Sequence, residues 1–264
     1  MTIERAHDNV TTVGPGTFLY STLYQLVLLL REPVGLLFGA VFSIAIVPIL
    51  GTLYGSHSTI VYGVYHRNII AWHAIGINLA ASAFITIPGN FAAQRSYGLL
   101  KLFRASILSR GCLVLSFLLA SMIFFFLLVM LLLLTNEIFY GLYFPGDLSS
   151  IVAVGLGLGL GASAMIPSGM LIAATVRSHT AVAPCGQLLF MPNLLLSGLS
   201  IPLDDAPVFL QYVSQALPLT HVGTLLRAGW TGVPMSEVAS ITWLVLCVYA
   251  VLSILLICIF LRWE

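Results

Sequence analysis

An all-α integral membrane fold with six transmembrane helices is the class this sequence predicts, and three observations carry the prediction. Of its 264 residues, 59% are hydrophobic and 7% are charged, whereas about a quarter of a soluble domain is charged. A soluble fold so depleted could not cover its own core with polar surface, so its solvent must be lipid. Six stretches reach or approach the ~20 apolar residues that a ~30 Å hydrocarbon core requires: residues 34–54, 69–88, 111–134, 149–174, 182–201 and 238–261. None of them contains Lys, Arg, Asp or Glu, each of which costs about 2.5–3.5 kcal/mol at mid-span.

The opening ten residues carry Glu4, Arg5 and Asp8 and lead into no short apolar core with a small-residue cleavage site, so a cleavable signal is not expected. Residues 17–31 are apolar except for Thr17, Ser21, Thr22 and Gln25, which share one narrow helical stripe. Arg31, Glu32 and Pro33 then interrupt the helix before the first span. This pattern suits a helix lying in the membrane interface. The chain thus divides into residues 1–33, a cytoplasmic N-terminus with an interfacial helix, and residues 34–264, the six-span domain.

Orientation follows from the ten basic residues. With both termini inside, Arg5, Arg31, Arg95, Lys101, Arg104, Arg110, Arg177 and Arg262 face the cytoplasm, and Arg67 and Arg227 face outward. The positive-inside rule selects that arrangement.

The fourth stretch holds Gly155, Gly157, Gly159 and Gly161, two small-xxx-small pairs that let helices approach closely. The fifth holds Pro184 and Pro192, each of which frees a carbonyl and invites a kink. The connection between spans five and six is too apolar to sit free in water. It reads as two short helices, one from near Pro207 that ends before Pro218, and one from about Thr220 that stops at Gly229. Such a pair can dip into the membrane only where the bundle satisfies its broken backbone.

Several chemistries are excluded. Lys101 is the only lysine, with no glycine-rich loop before it and no Ser or Thr after it, so a phosphate-cradling loop is impossible. A net charge of +1 argues against nucleic acid as a partner. The six histidines show no metal-ligand spacing. Cys112, Cys185, Cys247 and Cys258 fall in or beside apolar runs and read as small buried hydrophobes. His73 and Asn78 in span two, and Gln187 and Asn193 in span five, are the notable polar groups within the spans. Interhelical hydrogen bonding is their ordinary role, and contact with a transported substrate is the alternative. With Phe190 and Met191 beside them, they form a candidate substrate path for an apolar or amphipathic cargo.

Ser197-Gly198, Pro202 and Pro207, followed by Pro218-Leu219-Thr220 and Arg227 ahead of the last span, resemble the signature of the type-2 ATP-binding-cassette exporter permeases. That family includes antibiotic-resistance, nodulation-factor and polysaccharide export subunits. Arg31-Glu32-Pro33 is similar to the family's entry into its first span. Residues 95–106 are similar to its cytoplasmic segment between spans two and three, with Ser96 where the family usually has an acidic residue.

The resemblance implies two six-helix permeases, identical or paralogous, with two separate nucleotide-binding ATPase subunits. ATP and Mg would bind on those partners and no cofactor on this chain, which would be a transport subunit and not itself an enzyme. It also implies a multi-pass protein of the cell (inner or plasma) membrane with cytoplasmic termini. Its cargo would be a hydrophobic or amphipathic drug, natural product, lipid or lipid-linked glycan, moved outward. The segment carrying Arg95, Gly98, Leu99, Lys101, Leu102, Phe103 and Arg104 would dock into a groove of the ATPase. There a short helix would bury Leu99, Leu102 and Phe103 while Lys101 and Arg104 meet acidic rims. Charge reversal at Arg95 and Arg104 would then uncouple ATP hydrolysis from transport. The competing reading is a six-span channel or secondary carrier working without ATP, and a membrane scaffold is a third.

Overall fold

The computed structural model describes residues 15–54, 60–61, 64–98, 110–141, 148–176, 178–199, 206–231, 233 and 237–260. Apart from one minimal hairpin, every element among them is helical. Helix α1 spans Pro15–Arg31 and α2 spans Pro33–Tyr54, separated by the single residue Glu32. Ile60–Val61 (β1) pairs antiparallel with Val64–Tyr65 (β2), which the hydropathy pattern did not indicate. The second apolar stretch is a composite: α3 at His66–Ala81, a π-helical turn at Ser82–Thr86, and α4 at Ile87–Ser96. Then follow α5 (Arg110–Tyr140), α6 (Leu148–Thr175), α7 (His179–Leu196), α8 (Val208–Ala216), α9 (Pro218–Thr231) and α10 (Ser240–Phe260).

Four apolar helical stretches among the described residues are long enough to cross a membrane: Ile69–Ser96, Gly111–Tyr140, Ser150–Thr175 and Ser240–Ile257. Helix α2 is apolar along its 22 residues, and Gly39–Thr52 is a further apolar helical run among the residues whose side chains are described. Helix α7 is diluted by Gln187, Asn193 and two prolines. Each of the six expected stretches therefore lies largely on a helix, though the fifth outruns α7, which ends at Leu196, and among the described residues four meet the length and hydropathy that a span needs.

Helix α1 carries its polarity inward. Ser21, Thr22 and Gln25 are buried, and Ser21 Oγ shares a 2.9 Å hydrogen bond with Ser116 Oγ of α5. Leu19, Tyr20, Leu23, Tyr24 and Val27 are exposed on the opposite side. Thr17, expected on the polar stripe, is exposed.

Two helical neighbourhoods share the core. Helices α1, α2 and α3 pack around α5, while α6 is flanked by α9, α10, α4 and the π turn. The small-residue pairs of α6 are not equivalent. A Cβ at Gly157 would meet Leu225 at 2.9 Å, and one at Gly161 would meet Val222 at 2.6 Å, both on α9. Gly155 and Gly159 face open space. One stripe thus seats α9 and the other meets no described neighbour.

The π turn is explained by Pro88. Its nitrogen carries no hydrogen, so it offers nothing to the carbonyls of Ala83 and Phe84, five and four residues earlier. Ile87 N–H instead bonds Ser82 O in the wider π register. The Ala83 and Phe84 carbonyls press against neighbouring backbones at Gly169 of α6 and Gly186 of α7, where a Cβ would overlap each oxygen. The kinks expected at Pro184 and Pro192 do not interrupt α7, whose helix runs through both. Both prolines sit on its exposed side.

Of the cysteines, Cys112 and Cys185 are half-buried. Cys247 is exposed on α10, not buried in the core as expected. The side chain of Cys258 lies outside the description.

Candidate functional site

The signature residues are, first of all, a set of helix-end devices. Helix α7 ends at Ser197, whose Oγ bonds Leu194 O and accepts from the Leu199 N–H, both at 3.3 Å. Gly198 follows at φ +75, a left-handed conformation that favours glycine. That turn drives Leu199 into a socket between Gly76 of α3 and Gly223 of α9. Pro202 lies outside the described residues. Pro207 is the N-cap of α8, and its carbonyl accepts from Leu210 N at 2.8 Å.

Leu217 is the single extended residue between α8 and α9, and Pro218 opens α9 with the missing N–H that a first helical turn tolerates. The two helices end and begin where expected to within a residue or two. Three consecutive carbonyls at the end of α8 then receive side-chain donors, Ser214 O in addition to the Leu217 N–H at 2.9 Å. Thr220 Oγ1 donates to Ser214 O (2.7 Å), His221 Nε2 to Gln215 O (2.8 Å), and Tyr249 Oη of α10 to Ala216 O (2.9 Å). His221 Nδ1 lies 3.4 Å from Thr242 Oγ1 of α10. Because Nε2 carries the proton given to Gln215 O, a neutral His221 accepts from Thr242 at Nδ1. Thr220 thus has a local reason to be in the pattern. His221 and Tyr249 do the same work; His221 carries the sequence signal of a donor-bearing side chain beside a short helix with no capping residue, whereas Tyr249, 33 residues from Ala216, carries none. Leu219 is fully buried and Arg227 is exposed on α9.

The second cluster lies where α4 ends. Arg95 donates from Nη1 to Ala173 O (2.8 Å) and from Nη2 to Val176 O (2.6 Å), at the C-terminus of α6. A cation on these carbonyls satisfies orphan acceptors and opposes the negative end of the helix dipole. Two residues on, Tyr97 N bonds Ala93 O, Gly98 N bonds Arg95 O, and Gly98 adopts φ +74. The glycine is therefore the stop of α4. Leu99, Lys101, Leu102, Phe103 and Arg104 lie outside the described residues.

The candidate path residues occupy separate settings. Asn78 is committed to helix packing, with its Nδ2 donating to Ser43 Oγ of α2 at 2.6 Å while Ser43 Oγ donates to Gly39 O. His73 is half-buried, with Nδ1 2.7 Å from Ile69 O and its ring stacked on Trp72 at 5.9 Å. On α7, Gln187 is half-buried, Phe190 buried and Met191 exposed. Asn193 is buried, donates from Nδ2 to Leu189 O at 3.0 Å, and has no partner for its Oδ1 among the described residues. Sequence reasoning passed over Asn90 and Gln94, one turn apart on α4. Both are buried, and Asn90 Nδ2 and Gln94 Oε1 lack partners among the described residues. Their signal was two amides four residues apart just past the second apolar stretch, which ends at Pro88.

Residues 17–231 match the family described as ABC-2 type transporter. The chain is also similar to Nodulation protein J of Rhizobium leguminosarum bv. viciae, at 34% identity over 87 residues. That alignment takes in 33% of this chain and 33% of the relative, so the chain spans about a third of the length of the protein it matches there.

Proposed function

Because the chain belongs to the ABC-2 type transporter family, we propose that it is the membrane-spanning permease subunit of an ATP-driven exporter, with ATP and Mg handled by a separate ATPase subunit. The observation that carries this is the family match across residues 17–231, on a chain whose single lysine, Lys101, stands in no phosphate-binding loop. It is a transport component, and the energy for transport must come from a partner.

In this reading α2, the α3–α4 composite, α5, α6, α7 and α10 are the six spans, in the cell membrane with both termini cytoplasmic. Helix α1 lies in the cytoplasmic interface. The burial of Ser21, Thr22 and Gln25 against the bundle and the outward display of Leu19, Tyr20, Leu23 and Tyr24 support lipid around that helix. Helices α8 and α9 form an outward-side hairpin that enters the membrane, and side-chain donors on three successive carbonyls supply the satisfaction such a broken helix needs. Residues 99–104 dock on the ATPase, and a second permease, identical or paralogous, completes the pathway.

The cargo is hydrophobic or amphipathic: a drug, a natural product, a lipid or a lipid-linked glycan. The six stretches hold no charge that would neutralise an ionic substrate midway. Met165, Met170, Phe124 and Phe125 are fully buried core residues. That leaves Gln187, Met191 and Asn193 of α7 as the better lining candidates.

The test is copurification of the full chain from its native membrane, followed by transport in vesicles. A bound ATP hydrolase and vanadate-sensitive transport are expected. Transport at full rate with no hydrolase bound would overturn the proposal and favour a channel or secondary carrier.

A further inference from the structure

From the placement of Arg95 we infer that this residue is a tie between α4 and α6, delivering movement of the ATPase-docking segment to α6, and is not itself a contact to the ATPase. The inference rests on the exporter reading above and deepens it by assigning one residue of the coupling segment a positioning role.

Arg95 occupies the last turn of α4, directly before the Gly98 turn that leads into residues 99–104. Its guanidinium points back into the bundle, with one nitrogen on Ala173 O and another on Val176 O. Two donors in a fixed planar fork, set on two carbonyls of one helix end, define both distance and angle. A second contact lies higher on the same pair of helices. The Pro88 ring stands 3.3 Å from the Cβ position of Gly169, and the Ala83 carbonyl presses on that glycine. Gly169 and Val176 are seven residues apart, ~10 Å along the chain at helical rise. Helices held at two heights move together, because packed interfaces are bistable and do not shear continuously.

Helix α6 carries that movement onward. It is 28 residues long, ~42 Å at 1.5 Å per residue, and its other half seats α9 through Gly157 and Gly161 against Leu225 and Val222. Helix α9 in turn holds the end of α8 through Thr220 and His221. A displacement applied beside Arg95 therefore reaches the signature hairpin through contiguous backbone-close contacts.

The test reads the tie directly. The full-length chain is purified with the ATPase it retains, as wild type, Arg95→Gln and Arg95→Lys. Spin labels are placed at the exposed positions Ser96→Cys on α4 and Thr175→Cys on α6, with Cys112, Cys185, Cys247 and Cys258 replaced by Ala. ATPase retention and the within-chain label distance are measured before and after vanadate trapping with ATP and Mg. The expected result is unchanged ATPase retention in all three proteins. The label distance should stay fixed on trapping in the wild type and shift by on the order of one helical turn, ~5 Å, in Arg95→Gln. Arg95→Lys keeps the charge and reaches one carbonyl in place of two, so it should give a broadened distance without a full shift. If Arg95→Gln does not accumulate, Arg95→Lys decides the matter by that broadening. Loss of the ATPase from either variant at normal membrane abundance would make Arg95 a docking residue and overturn the inference. So would a wild-type label distance that moves as far as the variant's. No hydrolase on the wild-type chain would remove the exporter reading and this inference together, whereas a retained hydrolase with a mobile wild-type pair removes the inference alone.

Discussion

At the scale of residues, the signature hairpin is a problem in backbone satisfaction. Ending α8 leaves C-terminal carbonyls without intrahelical donors, and an unpaired buried acceptor costs about 1–3 kcal/mol. His221 is buried and Gln215 O is its partner, so His221→Phe should destabilise the protein by about 1–3 kcal/mol. A lowered melting temperature in detergent is the measurement. Tyr249→Phe removes the donor to Ala216 O, but that bond is exposed whereas the His221 bond to Gln215 O is part-buried, so its cost should be smaller. Equal melting of His221→Phe and wild type would mean that another donor takes over at Gln215. Pro218, Leu219 and Thr220 could be read as a motif from the chain alone, because proline and threonine have local preferences that announce a helix start. The partners of His221 and Tyr249 could not be read, since they lie 6 and 33 residues away and are chosen by packing.

At the scale of elements, glycine decides which faces close. The four alternate glycines of the fourth stretch promised close approach on two stripes, and only Gly157 and Gly161 meet a described neighbour. Helical periodicity defines both stripes equally, and the position of α9 chooses between them. Gly169 promised nothing in sequence, yet it faces the carbonyl that Pro88 displaces. The two kinds of glycine should respond oppositely to one added methyl. Gly155→Ala, on an open face, should be neutral or stabilising by up to ~1 kcal/mol through helix propensity. Gly169→Ala should cost about 1–3 kcal/mol or more through overpacking against backbone that cannot rotate away. Thermal unfolding of the two variants side by side tests this, and parallel effects would show that the π turn does not press on α6 in the membrane. The composite second span has the same lesson. Pro88 within an apolar run signals a break, but whether the chain kinks, stops or widens into a π turn depends on whether neighbours can accept the freed carbonyls, and here two glycines do.

At the scale of the whole molecule, the prediction is one of sidedness. With cytoplasmic termini, Ser106→Cys should react with a membrane-impermeant maleimide only after the membrane is opened, while the exposed α9 position Thr224→Cys should react in intact cells. The reverse pattern would invert the protein and place residues 99–104 where no ATPase can reach them. Helix α6 touches both the Arg95 cluster and the signature hairpin. A long helix of small residues suits that position, because small side chains let α4, α9 and α10 all approach it closely.

The chain by itself determined that lipid is the solvent, that helices occupy all six apolar stretches, and that no phosphate-binding loop is present. These follow from composition, run length and residue inventory, which are local or summed quantities. It also put α8 and α9 in place to within a residue or two, with α9 at Pro218–Thr231 against the expected Thr220 to Gly229, because proline acts on its own backbone and on that of its neighbours. Only the tertiary structure decided that Arg95 caps α6, that Asn78 is spent on Ser43, and that α1 turns its polar stripe toward α5. Each of these is a pairing between residues distant in sequence. A hydrogen bond or a close approach is settled by which helix lies alongside, and periodicity along one strand of sequence carries no record of its neighbour.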